Sequence, residues 1–250
     1  MKPLSTRANL ARIAVLLALT LLLLAILLAA GAGPAYRFDL LSLQAAFGTL
    51  RYGVYLAIGS GIAGLIALAV SAWLRRPGPA LVATLVAVAS LMLVSVPMAH
   101  WQQAQSVPRI HDITTDTLDP PAFQALAAAR EAAPNAVDYP GENTARQQHE
   151  TYPDIMPLQV DAPLATVRDA AEAQVRAQGW DVAAVTETHI EAAATTLWFG
   201  FKDDVVIRFR QENSAVRVDM RSASRVGLSD VGANATRIRA FLDALEGRLP

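Results

Sequence analysis

Hydrophobic residues are laid out along this chain in two regimes. Before about residue 100 they form three long unbroken runs, and after it they come only in short pieces with helical or alternating spacing. The first run covers about residues 13–32, with Leu21, Leu22, Leu23 and Leu24 at its centre, the second about 52–73 and the third about 80–98. About twenty apolar residues cross a hydrocarbon layer of about 30 Å, so each run is long enough to span a membrane. Tyr52, Tyr55, Trp73 and Trp101 fall near the ends of the runs, where amphipathic rings favour the interface. The run interiors hold no ionisable residue, which argues for an anchor and against a proton or ion pathway. Gly59, Ser60, Gly61 and Gly64 predict a close contact between two of the helices.

The second regime has different punctuation. Residues 101–152 carry Pro108, Pro120, Pro121, Pro134 and Pro140, with a short helical composition at 122–133 and extended or turn segments elsewhere. This predicts a Pro-rich linker between a membrane anchor over 1–100 and a soluble domain over 153–250. In that domain residues 157–161 form a strand, and Leu164, Val167, Ala171 and Val175 define one face of a helix that Gly179 stops. Residues 180–186 and 189–196 read as two further strands. Val205, Ile207 and Phe209 then alternate with Asp204, Val206, Arg208 and Arg210, and Val216, Val218 and Met220 alternate with Arg217, Asp219 and Arg221. That is a hairpin with one buried and one exposed face.

Two registers satisfy the hairpin. A loop at Asn213-Ser214 sets Arg208 opposite Asp219 and Arg210 opposite Arg217, whereas a loop at Glu212-Asn213 sets Asp204 opposite Arg221 and Arg208 opposite Arg217. Both bury the same apolar set, and both leave one arginine facing another, which is unfavourable unless an acid intervenes. A helix over about 230–246, with Ile238, Phe241, Leu242 and Leu245 on one side and Asp230 or Asn234 as cap, completes the order β-α-β-β-β-β-α. The fold class is therefore an α+β soluble domain, an antiparallel sheet with two helices on one face, attached to an N-terminal bundle of three transmembrane helices.

Charge changes the picture by giving the molecule a direction. Residues 1–100 hold seven Lys or Arg against one acidic residue, and residues 101–250 hold fourteen against twenty-one. Lys2, Arg7 and Arg12 precede the first run, and Arg75 and Arg76 separate the second from the third. The positive-inside rule makes both segments cytoplasmic and sends the C-terminal domain to the far side, the periplasm of a bacterium whose inner membrane holds the anchor. The first run exceeds a signal-peptide core of about 7–15 residues, and residues 31–35 match a cleavage site poorly, so it is expected to be retained. An acidic soluble part argues against nucleic acid as a partner. The chain has no cysteine, which excludes disulfides, thiol catalysis and Cys-based metal sites.

Candidate chemistry is sparse. His111, Asp112 and Asp116 group a histidine with two carboxylates, a set that could begin a divalent-metal site or a metal-assisted hydrolase, or could simply make turns before Pro120. No Gly-x-Ser-x-Gly elbow, HExxH or Walker loop is present, and no cofactor is implied.

The segments GFKDDVVIR at 200–208 and VDMRSASRVG at 218–227, followed by SDVGAN at 229–234 and by Arg237-Ile238, resemble the signatures of the domain-of-unknown-function 1499 family. Residues 111–116 followed by Pro120-Pro121 are also similar to these proteins, so the resemblance covers about 108–247. Met220 stands where a smaller aliphatic residue is usual. The resemblance implies a membrane-associated envelope protein and no particular reaction. Its polar positions, Asp203, Asp204, Arg208, Asp219, Arg221, Ser222, Ser224, Arg225, Asp230, Asn234 and Arg237, are the candidate ligand-binding set. Placed on an exposed sheet face and at the start of the last helix, they would hold an anionic ligand or an envelope partner. The competing expectation is an internal salt-bridge lattice. A purely structural scaffold acting through its spans is a third reading.

Overall fold

The computed structural model describes residues 3–249, which divide into two compact units, residues 3–102 with 198–200, and residues 103–197 with 201–249. Lys2, part of the charge pattern that orients the anchor, lies outside the described residues.

The first unit is built on three helices, α1 (Pro3–Arg37), α2 (Leu43–Trp73) and α3 (Pro77–Ser106), each long and apolar enough to cross a membrane. The three apolar runs lie inside them, and the helices continue past the runs with more polar turns. Ser42 caps α2 by accepting from the Ala45 N–H at 3.3 Å, and Pro77 opens α3, where its missing N–H costs nothing. Because lipid is as apolar as leucine, helices in a membrane hold together by close packing and shared hydrogen bonds. Both are present. The buried Ser60 hydroxyl donates to the Ala18 carbonyl at 2.8 Å and accepts from Ser90 at 3.1 Å, tying all three helices at one level.

The glycine contacts differ from expectation in one respect. Gly64 does face α3, where a Cβ would come within 3.2 Å of the Ala87 nitrogen, and Gly61 faces Ser90. Gly59 faces open space instead, and the tightest approach between two helices is at Gly53, where a Cβ would lie 2.7 Å from the Ala29 nitrogen of α1. Six residues separate Gly53 from Gly59, a shift of about 240° around a helix at about 3.6 residues per turn, so the two cannot share a face.

In the second unit a six-stranded antiparallel sheet has the order β1-β6-β5-β4-β3, from β1 (Asp112–Thr114), β3 (Asp181–Val185), β4 (His189–Thr195), β5 (Lys202–Glu212) and β6 (Ala215–Ser224). β2 (Leu158–Val160) pairs with the other half of β6, so β1 and β2 share one edge. Helices α6 (Leu164–Ala177) and α7 (Ala233–Glu246) pack their apolar stripes on one face. Val167, Ala171, Val175, Ile238, Phe241 and Leu245 meet Ile190, Ile207, Phe209, Val218 and Met220 there, and Trp180 stacks on Phe241 at 5.6 Å. From residue 158 onward the order is the one that periodicity predicts.

The stretch expected to be a linker is folded into this unit. Its residues 112–114 form the edge strand β1, and two short helices follow, α4 (Ala127–Glu131) and α5 (Glu142–Thr151). Helix α5 escaped the sequence pattern because its buried face is polar: only Thr144 and Gln148 are covered. The Gln148 amide donates to the Thr114 carbonyl at 2.7 Å and accepts from the Thr114 N–H at 3.1 Å, as a neighbouring strand would. Helix α4 is shorter than the helical composition at 122–133 suggests.

Replacing Gly53 by Val should force α1 and α2 apart at a cost of about 1–3 kcal/mol. The expected readout is a lower heat- or SDS-induced unfolding midpoint for the detergent-solubilised chain, with Gly59→Ala leaving that midpoint undiminished.

Candidate functional site

The alternation in β5 and β6 puts Asp204, Val206, Arg208, Arg217, Asp219 and Arg221 on the sheet face away from α6 and α7. Sequence reading leaves that face to solvent. The structure covers it with the segment between β1 and α5, and Asp204, Asp219 and Arg221 are buried. Three buried polar groups fasten the cover. Arg130 of α4, wholly buried, donates to Asp204 at 3.1 Å, to the Ala223 carbonyl at 2.9 Å and to the Ala136 carbonyl at 2.8 Å. Arg221 grips Asp112 of β1 with two bonds of 3.0 and 2.7 Å and reaches the Pro121 and Val137 carbonyls of the cover. The buried Glu191 of β4 accepts the N–H groups of Gln124, Ala125 and Leu126 at 2.8–3.0 Å, capping the turn that leads into α4. Phe123 lies between the two guanidiniums, 4.7 Å from Arg130 and 4.8 Å from Arg221, and joins Leu126, Val206 and Ala223 in a small apolar patch.

A second cluster settles the hairpin register. Arg208 pairs with Asp219 and Arg210 with Arg217, so the loop is Asn213-Ser214, with Asn213 at φ 55°. The acid that makes the facing arginines tolerable comes from the covering segment. Asp116 accepts from Arg210 at 3.0 Å and from Arg217 at 2.8 Å, and the buried Asp219 accepts from Arg208 at 3.0 Å and from Arg217 at 2.9 Å. Burial pushes the Asp116 carboxyl up. The N–H groups of Asp119 and Leu118 and the guanidiniums of Arg210 and Arg217 outweigh it, and its pKa falls below the usual carboxylate range. For Arg210 the cost of burial is likewise more than offset by Asp219, Asp116 and Asp119, which raise its pKa.

The remaining candidate residues gather at the start of α7. Asp203 pairs with Arg237 at 2.6 Å. Asn234, wholly buried, donates to the His111 carbonyl at 2.9 Å and to Ser224 at 3.1 Å, and accepts from Ser222 at 2.7 Å and from Arg237. The N-cap position is Gly232, in the left-handed region at φ 82°, and Asp230 two residues earlier accepts the Gly232 and Asn234 N–H groups at 2.8 Å each, so neither expected residue holds the cap position although Asp230 does serve the first turn. Burial raises the Asp230 carboxyl and the two N–H bonds recover only part of that shift. Arg225 completes the set by clasping Asp204 with three contacts of 2.8–3.1 Å.

His111, Asp112 and Asp116 do not converge. Asp112 is committed to Arg221 and Asp116 to Arg210 and Arg217, and among the described residues no group of three His, Asp or Glu side chains is placed to hold a metal ion.

What remains open on this face is a cleft of about 290 Å³ lined by Pro121, Gln124, Thr188, His189, Arg208 and Arg210, among others. His189 Nδ1 shares a hydrogen bond with the Thr186 hydroxyl at 2.9 Å, and its Nε2 lies 3.8 Å from Glu191. Arg210 Nε has no acceptor among the described residues. Of the eleven residues proposed from sequence to bind a ligand, Arg208 alone lines this cleft. Arg210, Thr188 and His189 carry no motif, and only the strand pairing that sets His189 opposite Arg208 brings them together.

Comparison with known proteins gives a family and little else. The model of a family described as "Protein of unknown function (DUF1499)" matches residues 112–245, which run from β1 to the end of α7. No curated protein matches the chain. Among solved structures, TTHA0849 from Thermus thermophilus is similar over 37% of this chain and 92% of that one, at 12% identity and a TM-score of 0.25, and a likeness this distant carries no argument.

Removing one partner of a buried charge pair leaves the other uncompensated and costs about 3–5 kcal/mol. Asp204→Ala strands both Arg130 and Arg225 and should lower stability by that amount in chemical denaturation of the chain. Arg168→Ala, which breaks an exposed pair with Asp169, should leave the denaturation midpoint unchanged.

Proposed function

The chain belongs to the DUF1499 family, and we propose that it is a membrane-tethered binding protein whose folded C-terminal unit takes a small oxyanion, a phosphate or carboxylate group, in the cleft between β4, β5 and the segment covering them. The supporting observation is the pair Arg208 and Arg210 lining one open cleft with Thr188, His189 and Gln124 beside them. Two guanidiniums on alternate residues of one strand offer planar donor forks on the same face, a geometry suited to oxygen anions. Asp219 and Asp116 hold those forks in place, so little side-chain freedom is left to lose on binding.

The buried polar residues support this role indirectly. Asp204 binds Arg130 of the cover and Arg221 binds the Pro121 and Val137 carbonyls, so these two hold the cover beside which the cleft opens, while Ser222, Ser224, Asn234 and Arg237 satisfy one another at the start of α7. A metal-assisted hydrolase has less support, because the carboxylates it would need are bound to arginine.

The charge pattern supports an N-terminus on the cytoplasmic side and a C-terminal unit across the membrane, in the bacterial periplasm. Arg75 and Arg76 lie between α2 and α3, and Arg7 and Arg12 lie in the first turns of α1.

Two measurements test these statements. Inorganic phosphate titrated into the full chain in phosphatidylcholine nanodiscs should bind saturably. Arg210→Gln should weaken that binding at least about tenfold, the loss of roughly one charge-assisted contact at 1.4 kcal/mol, while keeping the thermal midpoint. No saturable binding overturns the proposal. For orientation, protease added to spheroplasts should digest the C-terminal unit, and complete protection there overturns the periplasmic placement.

A further inference from the structure

The arginine fork at the cleft is already occupied. Asp119 Oδ2 accepts from Arg208 Nη1 and from Arg210 Nη1, at 3.0 Å each. Of the three carboxylates around the fork, Asp219 is sealed and Asp116 is 11% exposed, whereas the Asp119 side chain is 65% exposed. Asp116 is also committed elsewhere, since its Oδ1 accepts the N–H groups of Leu118 and Asp119 at 3.2 and 2.9 Å. The Asp119 carboxylate has no bonds among the described residues beyond the two arginines.

We infer that Asp119 is an internal stand-in for the ligand, an exposed carboxylate that holds Arg208 and Arg210 until an incoming oxyanion displaces it. This rests on the oxyanion reading of the cleft and assigns that site its regulation. Charge favours the displacement. Arg208, Arg210 and Arg217 already face Asp116, Asp119 and Asp219, with Glu212 a further carboxylate 4.0 Å from Arg217. A ligand added to the full set would enlarge a surplus of negative charge at the fork, whereas a ligand taking the place of the Asp119 carboxylate enlarges it less.

The local geometry makes the exchange a side-chain rotation. The Asp119 carbonyl is held separately by Arg208 Nη2 at 2.8 Å, and Asp116 holds the loop's N–H groups. The loop therefore keeps its anchors when the carboxylate swings into water, where an exposed ion pair of this kind loses little. A phosphate has several oxygens to offer and can meet the two Nη1 groups separately, where Asp119 uses one oxygen for both.

The test compares Asp119→Asn, Asp119→Glu and Arg210→Gln with the wild-type chain in phosphatidylcholine nanodiscs, titrated with inorganic phosphate. Asp119→Asn should bind about fivefold tighter, the release of one exposed ion pair, and Asp119→Glu, which keeps the carboxylate, should bind like the wild type. Asp119→Asn binding no tighter than the wild type, while Arg210→Gln still weakens binding at least about tenfold, overturns the stand-in and leaves the oxyanion cleft intact. Absence of phosphate binding in every variant overturns both. Repeating the titration in nanodiscs containing phosphatidylglycerol identifies the source of the anion: weakened phosphate affinity means that the lipid headgroup competes for the fork, and unchanged affinity means a soluble ligand.

Discussion

A charge taken out of water must find its counter-charge inside, and the second unit is organised around that constraint. Asp204 lies at the centre of the sheet with no exposure, and a lone carboxylate there would be prohibitively costly. Arg130 meets it from one side and Arg225 from another, and Arg130 can do so only if α4 lies across the strands. The ion pair therefore determines where residues 115–141 go. Once they are in place, Phe123, Leu126 and Val206 have apolar company and Glu191 has three amide donors. The cleft is the part of this face that the cover leaves open.

The two faces of the sheet are stabilised by different physics. Towards α6 and α7 the contacts are aliphatic and aromatic, non-directional and tolerant of small changes in volume. Towards the cover they are directional, and each is conditional on its partner. Such contacts add little net stability compared with a hydrophobic replacement, but they permit only one arrangement of the covering chain. The cleft inherits the second property. Arg208 and Arg210 sit in a fixed geometry because Asp116 and Asp219 leave them few alternatives.

How much of this was legible in the sequence follows from what periodicity can report. Three helices of membrane length and the strand and helix order after residue 158 leave strong apolar patterns, and both are where the patterns put them. Polar alternation on β5 and β6 cannot say what lies over it. Asp204 and Arg208 look alike in sequence, yet one is sealed and the other borders open water. Helix α5 has too little apolar content to show, and β1 is too short to show a period. Hairpin register was ambiguous because both alternatives bury the same side chains. In the observed register Asp116, about a hundred residues upstream of Arg217, bonds both facing arginines, and no local rule reaches that far. The cleft leaves no mark in the sequence for a similar reason: Thr188, His189 and Arg210 become neighbours only through strand pairing.

The way the sheet ends also has a consequence. Chains confined to a bilayer meet one another in two dimensions, at effective concentrations far above those of the same molecules in bulk, so an open strand edge is a greater hazard there. At Thr114 the Gln148 amide fills the place where a neighbouring molecule's backbone would dock, and at the opposite border β3 breaks its register between Val182 and Ala184. Both devices discourage accidental strand exchange between crowded copies.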